Sequence, residues 1–163
     1  MIQLLPLGKV DEELVIWLAG KLREVFKTEV SVLPAIPMPQ NCYSIRGQYN
    51  SSCIISKLRV AERTLAITSE DLYAKGFNFV FGEAELGGLR AIVSYHRLKF
   101  CADREKLKER LLKEAVHELG HVFGLAHCKN PGCVMNFSNS VFEVDLKSWR
   151  FCRNCVSKIG APP

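Results

Sequence analysis

Histidine is scarce in this chain, four residues in 163, and long apolar runs are missing altogether. No stretch approaches the roughly 20 apolar residues that a membrane-spanning helix needs. The opening Met1-Ile-Gln-Leu-Leu-Pro-Leu lacks a basic segment and runs at once into Lys9, Asp11, Glu12 and Glu13. It does not read as a signal peptide, and a cytoplasmic location is expected. Charge of one sign is also lacking. The 22 Lys and Arg against 17 Asp and Glu leave a net charge of +5, and the basic residues interleave with acids as on solvated helix faces. Neither nucleic acid nor a membrane is an expected partner. Repeats, low-complexity segments and long linkers are absent, and 48% hydrophobic content supports one well-cored domain.

Cysteine is not scarce. There are seven, an odd number that would leave one thiol over from any complete set of disulfides, and a reducing compartment disfavours such a framework. Metal binding accounts for them better. Cys128, Cys133, Cys152 and Cys155 are spaced C-x4-C-x18-C-x2-C, two thiolate pairs that suit a closed, tetrahedral structural zinc. The C-terminal stretch has few apolar residues of its own, so a metal would supply folding free energy that its core does not. A redox-active pair at Cys152 and Cys155, or independent surface thiols, are the alternatives. The redox reading expects a preceding strand of a thioredoxin-like unit, which this stretch lacks. Cys42, Cys53 and Cys101 have no metal spacing and are expected as buried thiols or surface residues.

Three of the four histidines fall in one short run, His117-Glu-Leu-Gly-His-Val-Phe-Gly-Leu-Ala-His127, the pattern HExxHxxGxxH. On a helix His117 and His121 lie one turn apart on one face, and both imidazoles reach one metal ion. Glu118 is rotated by about 100° from His117, placed to deprotonate a water on that metal without being a ligand. Gly124 permits the positive φ that ends the helix and returns His127 as third ligand. Three imidazoles and one open position describe a catalytic zinc. His96, outside the motif, is expected at the surface near a strand end.

The surrounding pattern indicates an α/β chain. Ile2 to Leu7 suits a buried strand, Asp11 opens a helix through Leu14, Leu18, Leu22 and Phe26, and Glu29 to Leu33 alternates as a second strand. This is a βαβ unit with a parallel sheet. Met38 to Ser52 reads as loop and Cys53 to Val60 as a helix capped by Ser51 or Ser52. Thr64 to Thr68, Phe77 to Phe81 and Leu89 to Tyr95 read as strands. Gly87 and Gly88 turn between the last two, which makes the sheet mixed. Asp103 caps a helix from Arg104 to Phe123 that carries the histidines. Residues 1–127 form the expected sheet subdomain with its active-site helix, and 128–163 a small irregular subdomain, together one compact unit.

The motif helix, with Met135 where a methionine turn would follow, resembles the metzincin zinc peptidases. Cys128-x4-Cys133-Val134-Met135 followed by Cys152-x2-Cys155 resembles the archaemetzincins in particular. The likeness extends upstream through Thr64-Leu-Ala-Ile-Thr-Ser-Glu-Asp-Leu-Tyr, Phe77-Asn-Phe-Val-Phe-Gly and Ala91-Ile-Val-Ser-Tyr-His-Arg-Leu. It implies a twisted, mostly parallel five-stranded sheet whose antiparallel edge strand, Phe77 to Phe81 here, flanks the cleft and pairs with a peptide substrate. It further implies two zinc ions per chain, with Met135 as a floor beneath the catalytic one. Zinc-bound water, activated by Glu118, would attack the peptide bond, and Glu118 would pass the proton to the leaving amine. A zinc-stabilised peptide-binding module is the alternative, though such a module has no need of a base at Glu118. Phe137 stands where several metzincins carry a tyrosine, so oxyanion stabilisation falls more heavily on zinc. No segment resembles an inhibitory pro-piece, and restraint is expected from a narrow cleft, a local loop or scarce substrate.

Overall fold

In the computed structural model, residues 1–159 are described. Strand β1 (Ile2–Leu7) is buried along almost its whole length, as a central parallel strand must be. Helix α1 (Glu12–Phe26) begins where the Asp11 carboxylate accepts from the Leu14 amide at 3.3 Å, with Glu12 and Glu13 favourably placed in the first turn. Lys27, in the left-handed region at φ 50°, ends it. Strand β2 (Val30–Val32) returns beside β1, pairing Ile2 with Val30 and Leu4 with Val32 in parallel.

Two-residue β3 (Tyr49–Asn50) leads directly into α2 (Ser51–Lys57). The cap is Asn50, whose side chain accepts from the Cys53 amide at 2.9 Å. The helix therefore starts two residues before the expected Cys53, and the serines are not its cap. Strands β4 (Arg63–Thr68), β5 (Leu72–Ala74), β6 (Phe77–Val80), β7 (Gly82–Ala84) and β8 (Arg90–Ser94) follow. The main sheet has the order β2-β1-β4-β8-β7 and is parallel except for β7, which runs antiparallel to β8.

The edge strand is thus Gly82–Ala84 and not Phe77 to Phe81. The apolar 77–80 run folds back on β5 through Gly76, at φ 87°, and joins a second sheet of order β3-β5-β6. Its period suited a strand, but its partner lay upstream. Gly-Glu-Ala, too small and polar to read as a strand, forms the edge.

Successive residues of β4 face opposite ways. Leu65 and Ile67 enter the interior shared with α1 and with α3 (Arg104–Val122), while Ala66 faces Ile54 and Ile55 of α2. After α3 the chain forms α4 (Val141–Leu146) and α5 (Arg153–Ile159). Val134, Met135, Val141 and Val144 join the α1/α3 interior, so the C-terminal segment is rooted in the main core. Arg110, almost fully buried, ties it down with paired bonds to Asp145 at 2.8 Å and bonds to the carbonyls of Leu98 and Phe100.

Cys42 and Cys53 form a disulfide, against the expectation of independent thiols. The turn at Gln40–Cys42 packs on the first turn of α2, a proximity no metal-type spacing announces. Cys101 is a free, exposed thiol.

Candidate active site and cysteine cluster

Helix α3 opens on Asp103, which accepts from the Lys106 amide at 2.8 Å, and buries Leu107, Leu111, Ala115 and Leu119 in the core. His117 and Glu118 are themselves each only 6% exposed. The helix ends as Gly124 reaches φ 100° and the Leu125 amide bonds the Gly120 carbonyl at 2.9 Å. His127 then comes back over the helix end. The imidazoles of His117, His121 and His127 converge, and their candidate ligand atoms lie within 4.8 Å of one another.

The ring tautomers follow from what each ring touches. His117 Nδ1 lies 2.7 Å from the Val134 carbonyl oxygen and His121 Nδ1 2.6 Å from that of Leu125. A carbonyl only accepts, so both Nδ1 atoms carry the hydrogen and both Nε2 atoms present bare lone pairs. Those two Nε2 atoms are 3.2 Å apart, an arrangement that is repulsive without a cation. Two nitrogens about 2.0 Å from a tetrahedral zinc are about 3.3 Å apart. Burial first, then the nearby Lys147 charge, holds the His117 imidazole well below its ordinary pKa and lowers His127, while burial lowers His121 against its bond to the Leu125 carbonyl. All three therefore stand neutral, as ligands must.

Glu118 faces the same space. Burial above all, then the Glu114 and Glu83 carboxylates, pushes its carboxyl well above the usual range, against the Lys147 charge. Two glycines make room here. A Cβ on Gly82 would stand 2.6 Å from Glu118 Oε2 and 2.5 Å from the Ile92 carbonyl, so only glycine lets β7 approach the glutamate. A Cβ on Gly120 would overlap Met135 Sδ, which places the fully buried methionine directly under the helix turn between the two histidines.

The cleft encloses about 630 Å³. The chain from Gly76 to Ala84 forms one wall and Phe137 to Asn139 the other, with the histidines and Glu118 between. Phe137 packs 5.1 Å from the His127 ring, where the metzincin likeness had placed it. Glu83 is held in the cleft by the Ser51 hydroxyl at 2.6 Å and the Ser52 hydroxyl at 2.9 Å.

Beneath Glu118 lies a feature no motif signalled. Lys147 Nζ, with its side chain 1% exposed, sits 2.9 Å from Glu114 Oε2 and donates to the Asn136 carbonyl at 2.9 Å. The Glu114 contact lacks hydrogen-bond geometry and acts as an ion pair. Glu114, one turn before Glu118 and so on the same face, was the available hint; its partner in 141–147 was not.

The four cysteines also meet. Cys128 and Cys152 sulfurs are 3.8 Å apart, Cys133 and Cys155 sulfurs 3.7 Å, and all four lie within 4.8 Å of one another. Sulfurs about 2.3 Å from a tetrahedral zinc are about 3.8 Å apart. Cys133 Sγ accepts from the Met135 and Cys152 amides at 3.5 and 3.3 Å, which partly offsets the burial that raises its thiol above the ordinary value. The Cys155 amide, foremost, lowers the Cys152 thiol to about 7. Cys128, next to His127, bonds the Met135 carbonyl through its amide at 2.9 Å and accepts from the Asn136 amide group through its own carbonyl. One short segment thereby joins the thiol cluster to the third histidine.

A histidine triad with a buried glutamate, set beneath the free antiparallel edge of a mixed sheet, belongs to the zinc metallopeptidases. The sequence profile of Peptidase family M54 matches residues 27–161. The chain is 57% identical to the archaemetzincin of Archaeoglobus fulgidus over 143 residues, 87% of this chain and 88% of that protein. It is 47% identical to that of Methanocaldococcus jannaschii over 161 residues, covering 94% and 89%. The crystal structure of the Archaeoglobus fulgidus archaemetzincin complexed with malonate superposes with a TM-score of 0.91 at 52% identity, covering 97% of this chain and 99% of that one. The chain belongs to Peptidase family M54, the archaemetzincins, and is a zinc metallopeptidase.

Proposed function

We propose that His117, His121 and His127 hold the catalytic zinc of this peptidase, that Glu118 is its general base and acid, and that Cys128, Cys133, Cys152 and Cys155 hold a second, structural zinc. The observation that carries the reading is the pair of Nδ1–H bonds to Val134 and Leu125, which leave the Nε2 lone pairs of His117 and His121 aimed at one point. When bound there, zinc supplies Lewis-acid chemistry, acidifying a water and polarising a peptide carbonyl.

The chain's own residues do the rest. Glu118 takes the proton from the attacking water and hands it to the leaving amine. Gly82 leaves space for that carboxylate beside the substrate strand. The outer side of β7 has no strand partner among the described residues, and an extended peptide adds to it by main-chain hydrogen bonds. Met135 and Gly120 support the histidines by packing, without chemistry. Phe137 offers a ring and no phenol. Residues 1–127 supply the sheet and the base, while 128–163 supply the methionine turn and the thiol cluster that steadies His127. Gly124 makes the turn between them.

Cleavage of a diverse peptide library by zinc-loaded protein tests the assignment. Glu118→Ala is expected to lower hydrolysis by about 10² to 10⁴, the range of a positioned acid-base group, with zinc content unchanged. Undiminished cleavage by that variant would remove Glu118 from the mechanism.

A further inference from the structure

Beside the cleft lies a second cavity of about 670 Å³. It shares Phe79, Phe81 and Asn139 with the active-site cleft, so the two spaces adjoin along the chain that leads into β7. Of the rest of its lining, Phe100 and Val141 are apolar, Ser140 is a neutral hydroxyl, His96, Arg97 and Lys99 are basic, and no carboxylate among the described residues lines it. The cleft itself carries Glu83, Glu114 and Glu118. The cleft is thus lined by carboxyl groups and the second cavity by basic ones.

The three basic groups differ in what they have left to offer. Arg97 commits Nε and Nη2 to Asp71 at 2.9 Å each and lies 4.2 Å over the Phe79 ring. Lys99 is exposed and takes part in no ion pair among the described residues. His96 is exposed as well. An uncommitted cation thus stands beside an aromatic surface, with Phe100 58% exposed.

Strand direction decides which end of a substrate arrives here. A peptide that pairs antiparallel with β7, the slightly more stable ladder, runs from Ala84 towards Gly82. Its C-terminal side then continues past Phe81 to the second cavity.

We propose that this cavity is a substrate subsite for a carboxylate C-terminal to the scissile bond, either an acidic side chain or the peptide's own terminal carboxylate. Lys99 attracts the charge, His96 offers a ring nitrogen as a polar contact, and Phe100 packs on the carbon atoms that carry it. The assignment rests on β7 being the peptide-binding edge, and its test is read as binding, separately from turnover.

The test uses zinc-loaded Glu118→Ala protein and fluorescent peptides of matched sequence, read by polarisation. One peptide carries aspartate in its C-terminal half, one asparagine there, and one aspartate in its N-terminal half; each is made with a free and an amidated terminus. Aspartate in the C-terminal half, or the free terminus, is expected to tighten binding about two- to fivefold, as an exposed charge pair does, and high salt is expected to erase the gain. The two arms tell which carboxylate the site takes. Lys99→Glu, at an exposed position, is expected to abolish or reverse the preference.

Equal affinity across the matched set overturns the proposal. So does a preference that survives Lys99→Glu, or one confined to the N-terminal half. Wild-type cleavage of the same peptides is measured in parallel. Charge preference without any cleavage upholds the subsite and defeats the hydrolytic roles given to the site, while cleavage with no charge preference in binding defeats the subsite alone.

Discussion

Replacing Lys147 by methionine keeps the length of the side chain and removes its charge, which leaves Glu114 buried without a counter-ion. Lys147 is 1% exposed at its side chain and Glu114 6%, so water cannot take the lost partner's place. Removing one member of a buried pair costs about 3 to 5 kcal/mol. An independent route gives a similar figure. The deserted carboxyl escapes its penalty by taking up a proton, and against an ordinary value of 4.5 this costs about 3.4 kcal/mol at pH 7. With an unfolding entropy of about 2.1 cal/mol/K per residue, the loss lowers the melting temperature of a chain of 163 residues by about 9 to 15 °C. The sign of the pH dependence follows. In the variant the folded-state pKa of Glu114 stands above the unfolded one, so the folded protein binds more protons and stability is lost as pH rises from 4.5 towards the folded value. Burial already raises the Glu114 carboxyl in the wild type, with Lys147 opposing it, so the gap between variant and wild type is expected to narrow as pH is lowered, by at most about 1.4 kcal/mol per unit. Thermal unfolding of both zinc-loaded proteins at about pH 7.5 and about pH 5.5, on either side of neutral within that window, measures it. A melting temperature within a degree or two of wild type, or a gap indifferent to pH, refutes the reasoning.

Two glycines in helices give opposite expectations. A Cβ on Gly20 would meet nothing within 4 Å, and Gly20→Ala is expected to raise stability by about 0.5 to 1 kcal/mol; Gly120→Ala pushes on Met135 and Phe151 and is expected to cost about 1 to 3 kcal/mol, both read by thermal unfolding. Elemental analysis is expected to find two zinc ions per chain, one surviving mild chelation because four thiolates hold it more tightly than three imidazoles; a zinc-supplemented protein that never exceeds one ion overturns the second site. Cys152→Ser is expected to lower both the melting temperature and hydrolysis, since Cys128 and the Met135 carbonyl link the thiol cluster to His127; an unchanged melting temperature removes the structural role.

What the sequence determined by itself was local and periodic. The helix from Arg104, its Asp103 cap, the turn at Gly124 and the one-turn spacing of His117 and His121 are all set by neighbours a few residues away. Strand β1, helix α1 and the paired spacing of the four cysteines were legible for the same reason. Tertiary structure decided the rest. It made Gly82–Ala84 the cleft edge, because β8 offered it a partner while Gly76 turned the more strand-like Phe77–Val80 back onto β5. It joined Cys42 to Cys53 and set Lys147 under Glu114. It also set the close contacts that favour glycine at positions 82 and 120, against the Ile92 carbonyl and Glu118 at the first and against Met135 at the second. Such features arise from contacts between segments that only packing brings together, so no periodicity along the chain records them.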